Sequence, residues 1–104
     1  MRLLTGTLIA AALLGTAASA QPTLVADTQY MEASRCRGLA EPLGADTASL
    51  DAFLKAQSAT RASYVLDRAD QMRQDAKRQA RRAQGDVKAR LTAEWTGICA
   101  NYKG

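Results

Sequence analysis

The chain has 104 residues, with 14 lysines and arginines, 10 aspartates and glutamates and no histidine, so its formal net charge is +4 at pH 7. The absence of histidine excludes Ser-His-Asp and Cys-His catalytic arrangements, and two cysteines alone cannot complete a zinc site. Because the carboxylates are scattered and no glycine-rich phosphate loop is present, the composition predicts a non-enzymatic protein without a metal or another cofactor.

The first twenty residues have the three parts of a secretory signal peptide. Arg2 precedes an apolar run over 3–14, and the triplet Ala-Ser-Ala at 18–20 forms a small-x-small cleavage site. The run is too short to span a bilayer, and no second apolar stretch follows it. We therefore expect residues 1–20 to be a signal peptide and residues 21–104 to be a single helical domain without a transmembrane segment. The Ala-x-Ala site favours a bacterial protein that is periplasmic or secreted.

The two cysteines, Cys36 and Cys99, predict a disulfide. In an oxidising compartment an even number of cysteines in a short domain is typical of a bridge, whereas two buried free thiols are the alternative. Removal of residues 1–20 leaves 84 of the 104 residues, and a core of that size is marginal by itself. A bridge that encloses so long a loop contributes about 4 kcal/mol by restricting the unfolded chain.

The mature chain begins with a predicted helix over 27–40, in which small and aromatic residues recur every three or four positions and place Cys36 on the apolar face. Pro42 and Gly44 then predict a loop. A second helix is expected over 47–57, where Asp46 or Thr47 can cap it.

A break is expected at 58–61, although the helical pattern could run on from Thr47 to Gln84. A continuous helix of that length would extend about 57 Å and hold the two cysteines roughly 30 Å apart. A disulfide needs Cα atoms within about 7 Å. Gln57 and Arg61 also interrupt the apolar stripe at this point, so we predict separate helices over 47–57 and 60–84.

The last predicted helix covers 86–102, because Gly85 ends the preceding helix and Asp86 can cap the next. Its apolar stripe consists of Val87, Leu91, Trp95, Ile98 and Tyr102. Gly97 lies inside this helix on the side away from the stripe, either as an early helix end or as a point of close contact with a second chain.

The fold class expected from these elements is all-α, a small disulfide-stapled bundle of three to four helices. Large apolar side chains are concentrated towards the disulfide, namely Tyr30, Leu50, Phe53, Leu54, Tyr64, Val65, Leu66, Met72, Trp95, Ile98 and Tyr102. The far parts of the last two helices offer mainly alanine for packing. This contrast predicts a thin, closely packed antiparallel helical hairpin that protrudes from the core, with Gly85 at its tip.

Positive charge is concentrated over 68–90, which holds eight basic and three acidic residues. Projected on a helix, the basic side chains surround the buried alanine stripe rather than forming one track, and Asp70 and Asp75 are within reach of Arg73 and Arg78. One interpretation is therefore a solvated helix end, where cations are favoured by the helix dipole. The other is a surface for an anionic partner, formed by Arg73, Lys77, Arg78, Arg81 and Arg82.

These features predict an exported interaction protein that binds an unknown protein partner through its hairpin. The alternatives are an electrostatic binder of anionic envelope components, such as lipid headgroups, lipopolysaccharide or other polyanions, and a stress-related periplasmic protein. Nucleic acid is not expected as a partner, because the basic region has no aromatic residue to stack on bases.

Overall fold

A computed structural model describes residues 23–102, and the predicted signal peptide lies outside them. The described chain forms four α-helices and a short 3-10 helix, without a strand. The helices are α1 (Asp27–Ala40), α2 (Ala48–Ser58), α3 (Ser63–Arg82) and α4 (Gly85–Thr96), followed by the 3-10 helix Ile98–Tyr102. The predicted all-α fold is confirmed, and no helix within residues 23–102 is long and apolar enough to cross a membrane.

The disulfide between Cys36 and Cys99 is present, with a Cα–Cα distance of 5.6 Å. Both cysteines are fully buried. The expected break is also present, since α2 ends at Ser58 and α3 begins at Ser63. The reach of a disulfide thus predicted the boundary between α2 and α3 to within a few residues. The surrounding core combines the bridge with Leu39, Leu50, Leu91, Trp95 and Tyr102.

The closest helix pair is α1 with α3, and the two helices run parallel. Tyr30, near the start of α1, packs with Val65 near the start of α3, whereas Gly38 lies against Arg73 and Ala76 further along. A Cβ atom at Gly38 would lie only 2.1 Å from the carbonyl oxygen of Arg73. Glycine at this position therefore allows the two backbones to approach each other.

The helix α2 connects the end of α1 to the start of α3, and it runs in the opposite direction to both. At its start Arg37 of α1 pairs with Asp51 at 2.6 Å, and at its end Gln57 contacts residues just before α1. The side-chain amide of Gln57 donates to the carbonyl of Thr23 at 3.1 Å and accepts from the backbone N–H of Val25 at 2.9 Å. The chain therefore runs up α1, down α2 and up α3.

Arg61 completes what we call the N-terminal clamp, formed by Gln57 and Arg61 around residues 23–27. Its guanidinium donates to the carbonyl of Val25 at 2.6 Å and to Asp27 at 2.8 Å, and it lies 5.0 Å from the ring centroid of Tyr30. The Arg61 side chain is only 7% exposed. The two polar side chains that interrupt the apolar stripe are thus largely buried and have hydrogen-bond partners within the fold.

Two residues expected in the core are exposed instead. Tyr64 is 72% exposed because the neighbouring Val65 and Ala69 determine which face of α3 is buried. Ile98 is 49% exposed because α4 ends at Thr96 and the tighter 3-10 helix turns Cys99 and Tyr102 inward. The predicted single helix over 86–102 is therefore wrong in its last turn, and Gly97 marks the early helix end.

The hairpin differs from the expectation in how it packs. The chain reverses between α3 and α4 through extended residues Ala83 and Gln84 and the left-handed Gly85, whose φ is +55°. However, Ala76 lies against α1 at Gly38, and Val87, near the start of α4, is 41% exposed. The start of α4 is therefore not closely packed along the alanines of α3. Asp86 lies inside the first turn of α4 and does not cap it.

Candidate functional site

The five predicted basic residues all lie on the second half of α3, and three of them have acidic partners. Arg73 pairs with Asp70 at 3.0 Å and Arg78 pairs with Asp75, both one turn back on the same helix. These two pairs follow the predicted i, i+3 spacing. Such exposed pairs contribute little to stability, but they reduce the charge that the helix offers to a partner.

Lys77 has a partner on another helix. Its ammonium lies 3.1 Å from a carboxylate oxygen of Glu41, immediately after α1, and Arg37 approaches the same carboxylate at 3.6 Å. The hydrogen bond from Lys77 holds the pKa of Glu41 below its usual value. The sequence did not predict this pair, because it depends on the parallel packing of α1 and α3. Lys77 thus joins α3 to the residue that follows α1, and its charge is paired within the fold.

Arg81 and Arg82, at the end of α3, differ from the other three. In the part of the chain that the structure describes, no carboxylate pairs with either of them. Arg90 of α4 is likewise unpaired within residues 23–102 and exposed. The structure therefore divides the predicted surface into a paired portion near the core and an unpaired portion beside the turn.

Arg82 and Arg90 line a common cleft between the end of α3 and the start of α4, which we call the α3–α4 cleft. It has a volume of about 430 Å³ and is otherwise lined by Gln79, Ala83, Gln84 and Val87. The cleft exists because the extended residues at 83–84 separate the two helix ends before Gly85 reverses the chain. Residues from both helices can thus face a single ligand.

The lining of the cleft defines the chemistry that it can perform. Two guanidinium groups present planar forks of N–H donors suited to carboxylate or phosphate. The amide of Gln84 can donate and accept, and the amide of Gln79, whose oxygen accepts from Arg35 at 3.4 Å, can donate. Ala83 and Val87 add an apolar wall. The lining residues include no carboxylate, thiol or hydroxyl group, so the groups present favour recognition of an anion.

Arg90 is the charged lining residue that the predicted surface for an anionic partner does not include. That surface ends at Arg82 because helical periodicity relates only residues of the same helix. A signal was nevertheless available, since Gly85 predicts a chain reversal, and residues 82 and 90 lie at similar distances from it along the sequence. Residues on opposite sides of a helical turn are brought together by the reversal.

Two other polar contacts join the C-terminal part of the described chain to α1. Arg35 of α1 forms a bidentate pair with Glu94 of α4 at 2.6 and 3.0 Å, and this hydrogen bonding raises the pKa of Arg35. The Tyr102 hydroxyl donates to Glu32 at 2.5 Å. Burial and this hydrogen bond raise the pKa of Tyr102 to about 12. Both contacts fix the C-terminal elements against α1.

Within residues 23–102, no group of cysteine and carboxylate side chains is arranged to hold a metal ion. Comparison with models of protein families, with curated proteins and with solved structures finds no match to this chain. The α3–α4 cleft is the candidate site that we consider in the described chain.

Proposed function

We propose that the protein is a non-enzymatic interaction protein, exported to the bacterial periplasm or secreted, that binds a protein partner through the turn between α3 and α4. The observation that supports this proposal is the distribution of ion pairs. Arg73, Lys77 and Arg78 have acidic partners, whereas Arg81 and Arg82 have none within residues 23–102. Arginine is enriched at protein interfaces, where its guanidinium combines charge with planar hydrogen bonding.

Export is supported by the signal-peptide pattern of residues 1–20 and is compatible with the disulfide. We expect the protein isolated from its source cells to begin at Gln21. Its intact mass should also be lower, by two hydrogen atoms, than that of the reduced chain. A chain that retains residues 1–20 would contradict the proposed export.

The proposed interaction can be tested by site-specific cross-linking in the source cells. A photo-crosslinking residue at position 84, in the turn, is expected to give adducts with a protein. The same residue at position 60, in the loop between α2 and α3, should not. The double variant Arg81→Gln/Arg82→Gln should lower the yield of adducts at position 84.

The matched control is Arg73→Gln/Arg78→Gln, which removes the same amount of charge from arginines that already have acidic partners. Its yield should remain close to that of the wild type. Equal loss in both double variants, or an absence of protein adducts at position 84, would contradict the proposed function.

A second candidate function is electrostatic binding to anionic envelope components. It is favoured by the balance of charge at the turn, where residues 81–90 hold four basic residues and one acidic residue. Binding to vesicles that contain anionic lipid should then decrease with salt and be lost when Lys77, Arg78, Arg81 and Arg82 are neutralised together. Binding that survives this change would exclude the second candidate.

A further inference from the structure

We infer that the α3–α4 cleft is a carboxylate site, which receives an acidic side chain of the partner together with a neighbouring small aliphatic one. The inference rests on the proposed function and specifies the chemistry of the partner segment, an acidic peptide with interspersed apolar residues. The cleft is lined both by arginines without an acidic partner in the described chain and by an exposed aliphatic side chain, Val87.

The charge of the cleft comes from two helices. Arg82 ends α3 and Arg90 lies on α4, and both line the same cavity. Two like charges that face one cleft repel each other unless an anion lies between them, and no carboxylate of residues 23–102 occupies that position. A ligand carboxylate can accept hydrogen bonds from either guanidinium and relieve this repulsion.

The apolar wall selects among anions. Val87 is 41% exposed and lines the cleft together with Ala83. A free phosphate would use the guanidinium groups but leave these two side chains in water. A peptide that places an aliphatic residue beside its carboxylate buries them and gains the corresponding hydrophobic contribution.

The size and the amide groups agree with a peptide rather than a lipid. A volume of about 430 Å³ lies near the lower end of the range for ligand pockets, which suits two or three side chains. An acyl chain would need a longer apolar groove than Ala83 and Val87 provide. The amide of Gln84 can pair with both the donors and the acceptors of a peptide backbone, and the N–H groups of Gln79 can pair with its carbonyls.

The test uses the disulfide-bonded chain and a fluorescein-labelled peptide of alternating glutamate and valine, with binding followed by fluorescence anisotropy. The variant Arg82→Gln/Arg90→Gln is expected to weaken binding about tenfold or more, because it removes both charged donors. The control Arg73→Gln/Arg78→Gln, with the same change in net charge, should alter affinity less than about twofold. Val87→Thr should weaken binding about threefold, since it makes the apolar wall polar.

Three results would overturn the inference. The first is equal weakening by the two double variants, which would indicate general electrostatic attraction. The second is equal binding of a peptide with glutamine in place of glutamate, which would exclude carboxylate recognition. The third is tighter binding of inorganic phosphate or of vesicles containing phosphatidylglycerol, which would assign the cleft to a phosphate group.

The inference and the proposed function can fail separately. If the glutamate-valine peptide does not bind but position 84 still forms adducts that depend on Arg81 and Arg82, the protein has a partner of different chemistry. If the peptide binds in the cleft but no protein adduct forms in cells, the proposed function is wrong.

Discussion

Gly38 determines how closely α1 and α3 can pack. In an isolated peptide the change Gly38→Ala would stabilise the helix by about 1 kcal/mol. In the folded protein the new Cβ would lie 2.1 Å from the carbonyl oxygen of Arg73, and neither backbone can move without displacing its helix. We expect Gly38→Ala to lower the free energy of unfolding by at least about 2 kcal/mol, measured by urea denaturation with Trp95 fluorescence. An equal or higher stability would contradict the close approach.

Arg61 shows that a largely buried charge can be part of the fold when its guanidinium has several hydrogen-bond partners. Replacement of Arg61 by Met keeps the aliphatic stem but leaves the Val25 carbonyl and Asp27 without their partner. We expect Arg61→Met to cost about 2–3 kcal/mol of unfolding free energy and to accelerate proteolysis at residues 23–27. The control Arg68→Met changes an exposed arginine on α3 and should stay within about 0.5 kcal/mol of the wild type.

At the scale of single residues, the sequence could show that Gln57 and Arg61 interrupt an apolar stripe, but not where their polar groups go. The N-terminal clamp joins Gln57 and Arg61 to residues that lie between 32 and 36 positions earlier in the chain. Periodicity describes only which side chains share a face of one helix. A contact of this kind depends on the return of the chain through α2.

The 3-10 helix is held to α1 by a hydrogen bond that responds to high pH. The pKa of Tyr102 is raised from 10.0 to about 12 in the folded chain. A group whose pKa is higher in the folded state contributes stability below its unfolded pKa, and this contribution is lost as the pH rises towards the folded value. The stabilising effect of Tyr102 should therefore be complete below about pH 10 and decrease between pH 10 and 12.

The variant Tyr102→Phe isolates this effect from other groups that titrate at high pH. The stability difference between the wild type and Tyr102→Phe, measured by urea denaturation, should shrink by about 1–2 kcal/mol between pH 9 and pH 11.5. A difference that stays constant over this interval would show that the pKa of Tyr102 is the same in the folded and the unfolded chain.

At the scale of elements, helix periodicity and the cysteine distance predicted most of what is observed. The break between α2 and α3 followed from the reach of a disulfide, a constraint that links distant parts of the chain. The parallel packing of α1 on α3 did not follow, because Gly38 in isolation looks like a weak helix position. The exposure of Ile98 was also missed, since the helix ends at Gly97 and the 3-10 helix turns Cys99 and Tyr102 inward but leaves Ile98 outside.

The disulfide should contribute a large part of the stability of the whole molecule. It joins residues 63 positions apart, and closing a loop of that length in the unfolded chain is worth about 4 kcal/mol. We expect the chain with Cys36→Ala/Cys99→Ala to lose at least that much unfolding free energy, because two buried side chains are also shortened. Urea denaturation of the oxidised wild type and of the variant measures the loss. A decrease below about 1 kcal/mol would contradict the prediction.

Over the whole molecule, the distribution of charge was visible in the sequence, but its division into paired and unpaired groups was not. Glu41 was not assigned to Lys77, and Arg90 was not placed beside Arg82. Both assignments require the relative position of two helices. The sequence therefore located the basic region of the molecule. The structure shows which of its residues have acidic partners and which two arginines line the α3–α4 cleft.

The complete burial of Cys36 and Cys99 also bears on the lifetime of their bond. A thiolate must reach a sulfur atom directly to begin exchange, and neither sulfur is accessible in the folded chain. Reduction therefore requires an opening of the structure, so its rate depends on how often the bundle opens. Burial in the folded chain therefore protects the disulfide from reduction. A transient change to reducing surroundings would leave the disulfide intact for as long as the bundle stays folded.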